Sequence, residues 1–364
     1  MKDKKRKVSK GSAEPNRDTL RVRLHEDELE HVNNLRSLYN EAIDLGQNPR
    51  DVKQGWVKSK EVSLFVKNPN FEGALEREKE FKDRLIDSLK THSPSYPKIK
   101  RTKSKDGHLL IIDIADLHIN KYAERFLTGD TYNSKIAVDR ALEGTKGLLQ
   151  KSQGFNIEKI LFVIGNDILN TDNANNSTTK LTPQDTDNNF YDAFNIAKEC
   201  YVACIEMCMS VADVDVVHCI SNHDYISGTF LAETLSAWFR KSNNVTFDTS
   251  PKYRKYYEFH SNLLMLSHGD KGKLNDIPML MATEEPQMWA NTKFRYGFLH
   301  HIHHHQSHKF LSGKDFIGVN ITYLRSPSSQ DLWHYDNGYL NMVACEAFLH
   351  SQSDGRVAHL THYF

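Results

Sequence analysis

Asp116 and His118 close a short apolar run, IIDIADLHIN (111–120). A carboxylate and an imidazole two residues apart are two ready ligands for one metal ion. On an extended tip both side chains face the same way. The pairing of an apolar run with ligand-type residues recurs four more times along the chain. Asp167 follows EKILFVIGN, Asn222 and His223 follow VDVVHCIS, His268 follows NLLMLS, and His301 and His303 follow RYGFLH. Oxygen and nitrogen donors without thiolate suit Mn, Fe, Zn or Mg ions. Together the run ends offer more donors than one tetrahedral site takes. They suit two adjacent ions bridged by one carboxylate, about 3.5–4 Å apart as in two-metal hydrolases.

The elements that must carry these residues read as an α/β layer fold beginning at His108. Short apolar runs alternate with helical stretches, and the ligand types stand at the carboxyl ends of strands, where open α/β sheets hold their ligands. A helix is expected from about Ser134 to Gln150. A polar loop, ANNSTTKLTPQDTDNN (174–189), then precedes a helix in which Cys200, Cys204 and Cys208 recur every fourth residue. That spacing stacks the thiols on one face, and a buried small-residue stripe is the expectation there. Five cysteines in 364 residues do not make a disulfide framework, which fits a reducing cytoplasm.

Ahead of this core the chain changes character. Residues 1–18 (MKDKKRKVSKGSAEPNRD) are basic, then small and polar, and are expected to be a disordered tail. Residues 19–93 read as a charged helical region, with Leu29, Val32, Leu35, Leu38 and Ile43 near the helical repeat. A second stretch there carries Val52, Trp56, Val62, Leu64 and Phe65 beside Lys53, Lys58, Lys60 and Lys67, loosely like a helix-turn-helix module. Residues 94–107 are expected to be a linker, and 108–364 the catalytic domain. Lysine plus arginine balance aspartate plus glutamate at 47 each, so no global field points to nucleic acid or membrane. No apolar run approaches the length of a membrane span, and no leader is expected.

The ordered motifs resemble those of the calcineurin-like metallophosphoesterase superfamily, which run D-x-H, G-D-x-x-D/N, G-N-H-D/E, H, then G-H-x-H. Here they stand as DLH at 116–118, GNDILN at 165–170, SNHD at 221–224, HG at 268–269 and HHIH at 300–303. The resemblance covers about Leu109 to the end. It implies a layered β-sandwich flanked by helices, with the helical amino-terminal region as an appendage. It also implies two divalent metal ions, Mn first, with Fe, Zn and Mg as alternatives. Asp116, His118 and His303 would hold one ion, Asn222, His268 and His301 the other, and Asp167 would bridge them. His223 would protonate the leaving oxygen, and Asp224 would orient it. The motifs depart from the pattern at three places: Asn166 is inserted before Asp167, Ser221 replaces one glycine and His300 another.

The residues after Asp167, ILNTDN, lack the V-D-R-G of serine/threonine protein phosphatases. The arrangement looks most like phage and bacterial phosphoesterases described as DNA repair exonucleases. A cytoplasmic phosphodiesterase acting on DNA is therefore expected, with Asn170 and Lys180 as candidate substrate contacts. The amino-terminal region would serve DNA, a partner protein or a second copy of the chain. A phosphomonoesterase or cyclic-nucleotide phosphodiesterase is the alternative, and a non-catalytic binding scaffold on the same fold is a third, which the intact His223 and ligand residues argue against.

Overall fold

The computed structural model describes residues 13–16, 19–22, 37–40, 42–43, 54–58, 63–67, 74–91, 96–101, 105–114, 116–301, 313–329 and 342–364. The chain falls into two units, Met1–Asp83 and Arg84–Phe364.

The first unit departs from the helical expectation only in part, since residues 37–40 and 42–43 are helical within the first expected stretch. Strand β1 (Ala13–Asn16) pairs antiparallel with β2 (Thr19–Val22), so part of the expected disordered tail is a strand. Strand β3 (Gln54–Lys58) pairs antiparallel with β4 (Ser63–Lys67), with Trp56 opposite Phe65 in register. The physical reason lies in composition. QGWVK and SLFVK are rich in β-branched and aromatic residues, which favour a pleated surface over a helix. This hairpin replaces the helix-turn-helix reading. Helix α1 (Ala74–Thr91) does form where the third helical stretch was expected.

The second unit is built on two sheets. Its elements are β5 (His108–Asp113), α2 (Ser134–Lys151), β6 (Ile157–Gly165), α3 (Phe190–Met209), β7 (Asp213–Cys219), α4 (Tyr225–Phe239) and β8 (Val245–Asp248), then β9 (Lys255–Phe259), β10 (Asn262–Leu266), α5 (Ile277–Glu284), α6 (Pro286–Asn291), β11 (Phe294–Leu299), β12 (Gly313–Phe316), β13 (Val319–Tyr323), β14 (Ala344–Ser351) and β15 (Gly355–Tyr363). Strands β15-β14-β5-β6-β7-β8 form a six-stranded sheet, parallel from β5 to β8. Strands β12-β13-β11-β10-β9 form a five-stranded sheet whose centre, β13-β11-β10, is parallel.

Alternation along the strands explains the layers. Leu109 and Ile111 of β5, Leu161 and Val163 of β6, and Val217 and Cys219 of β7 share a core with Leu264 and Leu266 of β10 and Phe298 of β11. Full burial of each such side chain contributes about 1.5–3 kcal/mol. The neighbours Leu110, Ile112, Ile160 and Phe162 are equally buried, as expected for parallel strands covered on both faces. Helix α2 opens on Asn133, whose side chain accepts the Ile136 N–H, and it packs so close to β15 that a Cβ at Gly147 would meet the His362 ring. In α3, Cys200, Cys204 and Cys208 are buried free thiols, as their spacing predicts. The expected linker is not loose where it is described: Tyr96 donates to Glu206 at 2.7 Å and stacks on Phe239. Among the described residues, no helix is long and apolar enough to cross a membrane.

Candidate metal centre

The loops that leave β5, β6 and β7 carry the first half of the site, and the backbone of the first two is strained. Asp116 and His118 have φ of 51° and 47°, Asn166 and Asp167 of 54° and 62°. A non-glycine residue in this left-handed region costs about 1–2 kcal/mol, and such strain persists where the surroundings over-determine the backbone. Here the surroundings are hydrogen bonds between loops. Asp116 N–H donates to the Asn166 carbonyl at 2.7 Å and His118 N–H to the Asp167 carbonyl at 2.9 Å, while Asn166 N–H donates to the Cys219 carbonyl at 3.0 Å. Gly165 permits that approach. A Cβ there would lie 1.9 Å from the Cys219 carbonyl oxygen, and its φ is 92°.

Asp167 is the hub. Its Oδ1 accepts the His223 N–H at 2.9 Å, and its own N–H donates to Ser221 Oγ at 2.8 Å. Its Oδ2 lies 3.2 Å from Nε2 of His268, which follows β10, and the same nitrogen is 2.7 Å from Asn222 Oδ1. Two donor groups close around this carboxylate. His118, Asp167 and His223 bring ligand atoms within 4.8 Å of one another, and Asp167, His268 and His301 do likewise. The donor chemistry fits divalent cations. An imidazole nitrogen, a carboxamide oxygen and a carboxylate oxygen converge, and all three are lone-pair donors, while His268 Nδ1 is buried without a hydrogen-bond partner. A carboxylate common to both groups is what two adjacent ions require.

The electrostatics follow from burial and crowding. Burial pushes the Asp116 carboxyl up to about 6, against the opposing influence of His268. Burial also acts to raise Asp167, but the His268 and His223 imidazoles more than offset it and hold the carboxyl well below the usual range. Burial disfavours charge on His268, yet the Asp167 carboxylate beside it pushes the imidazole up to about 9. Such a nitrogen prefers to share a cation, and a metal ion is one. Burial and then repulsion from Asp167 raise Asp224 to about 7.

No protein-family model and no curated protein sequence matches the chain. Among solved structures it is similar to a double mutant of Vps29 from Entamoeba histolytica. The two share 12% identity over 70% of this chain and 99% of that one, with a TM-score of 0.26. A likeness that low adds nothing to the fold, which stands on its own two sheets.

The structure brings Asp116, His118, Asp167, Asn222, His223, His268 and His301 to the ends of β5, β6, β7, β10 and β11, as their spacing predicts. His303, with His304, His305 and His308, lies outside the described residues. Two assignments change. Asp224 does not orient His223. Its carboxylate accepts the Leu169 N–H at 3.0 Å and the Ser221 hydroxyl, while His223 Nδ1 lies 3.0 Å from the Asn170 carbonyl. The imidazole is thus held by a backbone oxygen of the loop after β6, and Asp224 braces that loop through Leu169. Asn170 is buried rather than open to substrate, its amide donating to the Asp185 carbonyl at 3.2 Å. Lys180 is exposed on the long polar loop.

Four residues have roles that the sequence reading did not assign, although three of them stood out as departures from the pattern. Ser221, where the pattern has glycine, links Asp167 to Asp224. His300, also in place of glycine, meets Asp113 of β5 at 3.2 Å, with both side chains buried. Asn166, the inserted residue, receives the Asp116 N–H, and Ser326 Oγ donates to the Asp116 carbonyl at 2.8 Å. Asp113, the partner of His300, carried a signal of its own: an acid inside an otherwise apolar strand needs a buried partner.

Proposed function

We propose that the chain is a two-metal phosphoester hydrolase and that its substrates are phosphodiesters of DNA. The observation that carries this reading is the pair of donor groups sharing Asp167, with His223 fixed beside them. By the family's pattern, Asp116, His118 and Asp167 would hold one ion, with His303 completing it, and Asp167, Asn222, His268 and His301 the other. His223, grouped with His118 and Asp167, would stay off the metal as the acid. When bound, such ions polarise phosphoryl oxygens and lower the pKa of water, which supplies a nucleophile near neutral pH.

The chain's own residues supply the rest. A carbonyl can only accept, so the Asn170 oxygen keeps the proton on His223 Nδ1. Nε2 is then the nitrogen that exchanges its proton, and it can deliver one to the departing oxygen. A positioned general acid of this kind contributes roughly 10²–10⁴-fold in rate. His223 N–H also holds Asp167 Oδ1, so the acid and the shared carboxylate are fixed relative to one another. The His118 and His223 rings meet edge to face at 4.6 Å, which limits the freedom of both.

Support for DNA comes from the order of the motifs and from the charged region ahead of them. The test is a screen of the full chain with Mn against single- and double-stranded DNA, cyclic nucleotides and p-nitrophenyl phosphate. Cleavage of DNA is the expected result. Turnover confined to the monoester or to cyclic nucleotides would overturn the DNA reading, and no turnover in metal-loaded protein would overturn the enzyme reading.

A further inference from the structure

Helix α4 begins at Tyr225, directly after Asp224, and its outward face is not what a surface helix normally presents. Solvent-facing helix surfaces are usually charged or polar. Here Tyr225 is 39%, Ile226 53% and Phe230 63% exposed, and no charged residue occurs before Glu233. The helix does not need these side chains for packing, since Ser227, Gly228, Leu231 and Leu235 already form its buried side. The long polar loop meets the start of this helix. Tyr225 N–H donates to Thr179 Oγ1 at 3.3 Å, and Leu181, two residues further on, is 72% exposed at φ 64°. A strained, exposed leucine next to exposed aromatic residues marks a contact surface more than a packing need.

We propose that this ridge is a stacking platform for unpaired nucleobases flanking the scissile phosphate. The inference rests on the phosphodiesterase reading and extends it to the form of the substrate. A ligand that reaches both the donor groups around Asp167 and the ridge must join an anion to a flat apolar group. A nucleotide chain repeats that combination. Duplex DNA keeps its base faces in the stack, so only a single strand or a frayed end can lay them on Tyr225 and Phe230. The far end of α4 suits the same ligand, because Arg240 and Lys241 are exposed there for backbone phosphates. A protein partner could cover an apolar ridge, but it would not explain why the ridge starts two residues from His223.

The test uses the full chain in EDTA, so that cleavage of the probe does not enter. Two labelled strands of equal length are compared: an oligothymidylate and an abasic strand with the same phosphates. Base–aromatic stacking is worth roughly 5-fold or more in Kd per base. Wild-type protein should therefore bind the thymidylate strand about 10-fold or more tightly than the abasic one. Tyr225→Ala with Phe230→Ala should erase that preference while affinity for the abasic strand stays. Phe230→Leu, which keeps apolar area but loses the ring, should weaken the preference as well. Equal binding of both strands by the wild type, no binding of the thymidylate strand, or an undiminished preference in the double variant would overturn the proposal. Failure of the Mn screen alone would strike the hydrolase reading and leave base binding standing.

Discussion

The two donor groups meet at Asp167 but are built by different means. The first, His118 and His223 with Asp167, comes from consecutive parallel strands of one sheet. Its loops are tied together by backbone bonds, from Asp116 to Asn166 and from His118 to Asp167. The second, His268 and His301 with Asp167, comes from β10 and β11 of the other sheet. It reaches Asp167 only through side chains, His268 Nε2 at 3.2 Å from the carboxylate and 2.7 Å from Asn222. One half is positioned by main-chain hydrogen bonds and the other by the packing of two sheets. The backbone-tied half should therefore hold its shape without metal, whereas the half spanning the sheets should lean on the cation and on the apolar core between them.

The largest predicted contrast comes from removing one ligand on each side. His118→Ala and His268→Ala should each lose one ion and turnover on DNA. Only His268→Ala should also loosen the junction between the sheets, read as faster amide exchange in β10 and β11. Equal exchange in the two variants would erase the distinction drawn between the halves. Next in size, His223→Asn should lower the rate on an unactivated DNA linkage by roughly 10²–10⁴-fold, with metal content kept. On an activated aryl phosphodiester the loss should be far smaller, because a good leaving group needs little protonation. An equal loss on both substrates would remove its role as the acid, and loss of an ion would make it a ligand.

Ser221→Ala affects the first half alone. It leaves the buried Asp167 N–H without its acceptor and takes one of the two donors from the Asp224 carboxylate. An orphaned buried polar group costs about 1–3 kcal/mol, so the thermal midpoint should fall by several degrees. A midpoint at the wild-type value would mean the Ser221 link carries no stability.

A last effect concerns the contact between the sheets, and it is read from pH. His350 of β14 packs its ring on Tyr296 at 4.6 Å and faces Phe298, both of β11. Burial, then nearby Arg356, lowers it from 6.5 to about 3, and burial lowers His218 to about 4. The unfolded chain thus binds these protons first as pH falls. The stability they contribute is complete above about pH 6.5 and is lost progressively toward pH 3–4, by about 1.4 kcal/mol per pH unit for each group within its window. Denaturant midpoints measured between pH 7 and 4 should drop less steeply in His350→Leu. An unchanged slope would show that His350 is not buried in its neutral form.

Most of the second unit was legible because its signals are local. Apolar runs ending in Asp116, Asp167, Asn222 and His268 announce strands and their carboxyl ends together. The hairpin of β3 and β4 was not legible from spacing. Val52, Trp56, Val62 and Phe65 also fit a helical repeat, and strand propensity decided the outcome. The supports of the site were hidden for another reason. Ser221, His300 and Ser326 act on residues far away in sequence, as His300 does on Asp113, and no period within one segment reports such a pairing.

The central claim is that one carboxylate serves two ions, and elemental analysis of reconstituted protein tests it most directly. The wild type should carry about two transition-metal ions per chain, one on each side of Asp167. Asp167→Asn keeps the shape of the side chain but removes the charge shared between the groups, so it should retain at most about one ion and lose turnover. Two ions retained in Asp167→Asn, with normal activity, would contradict the account.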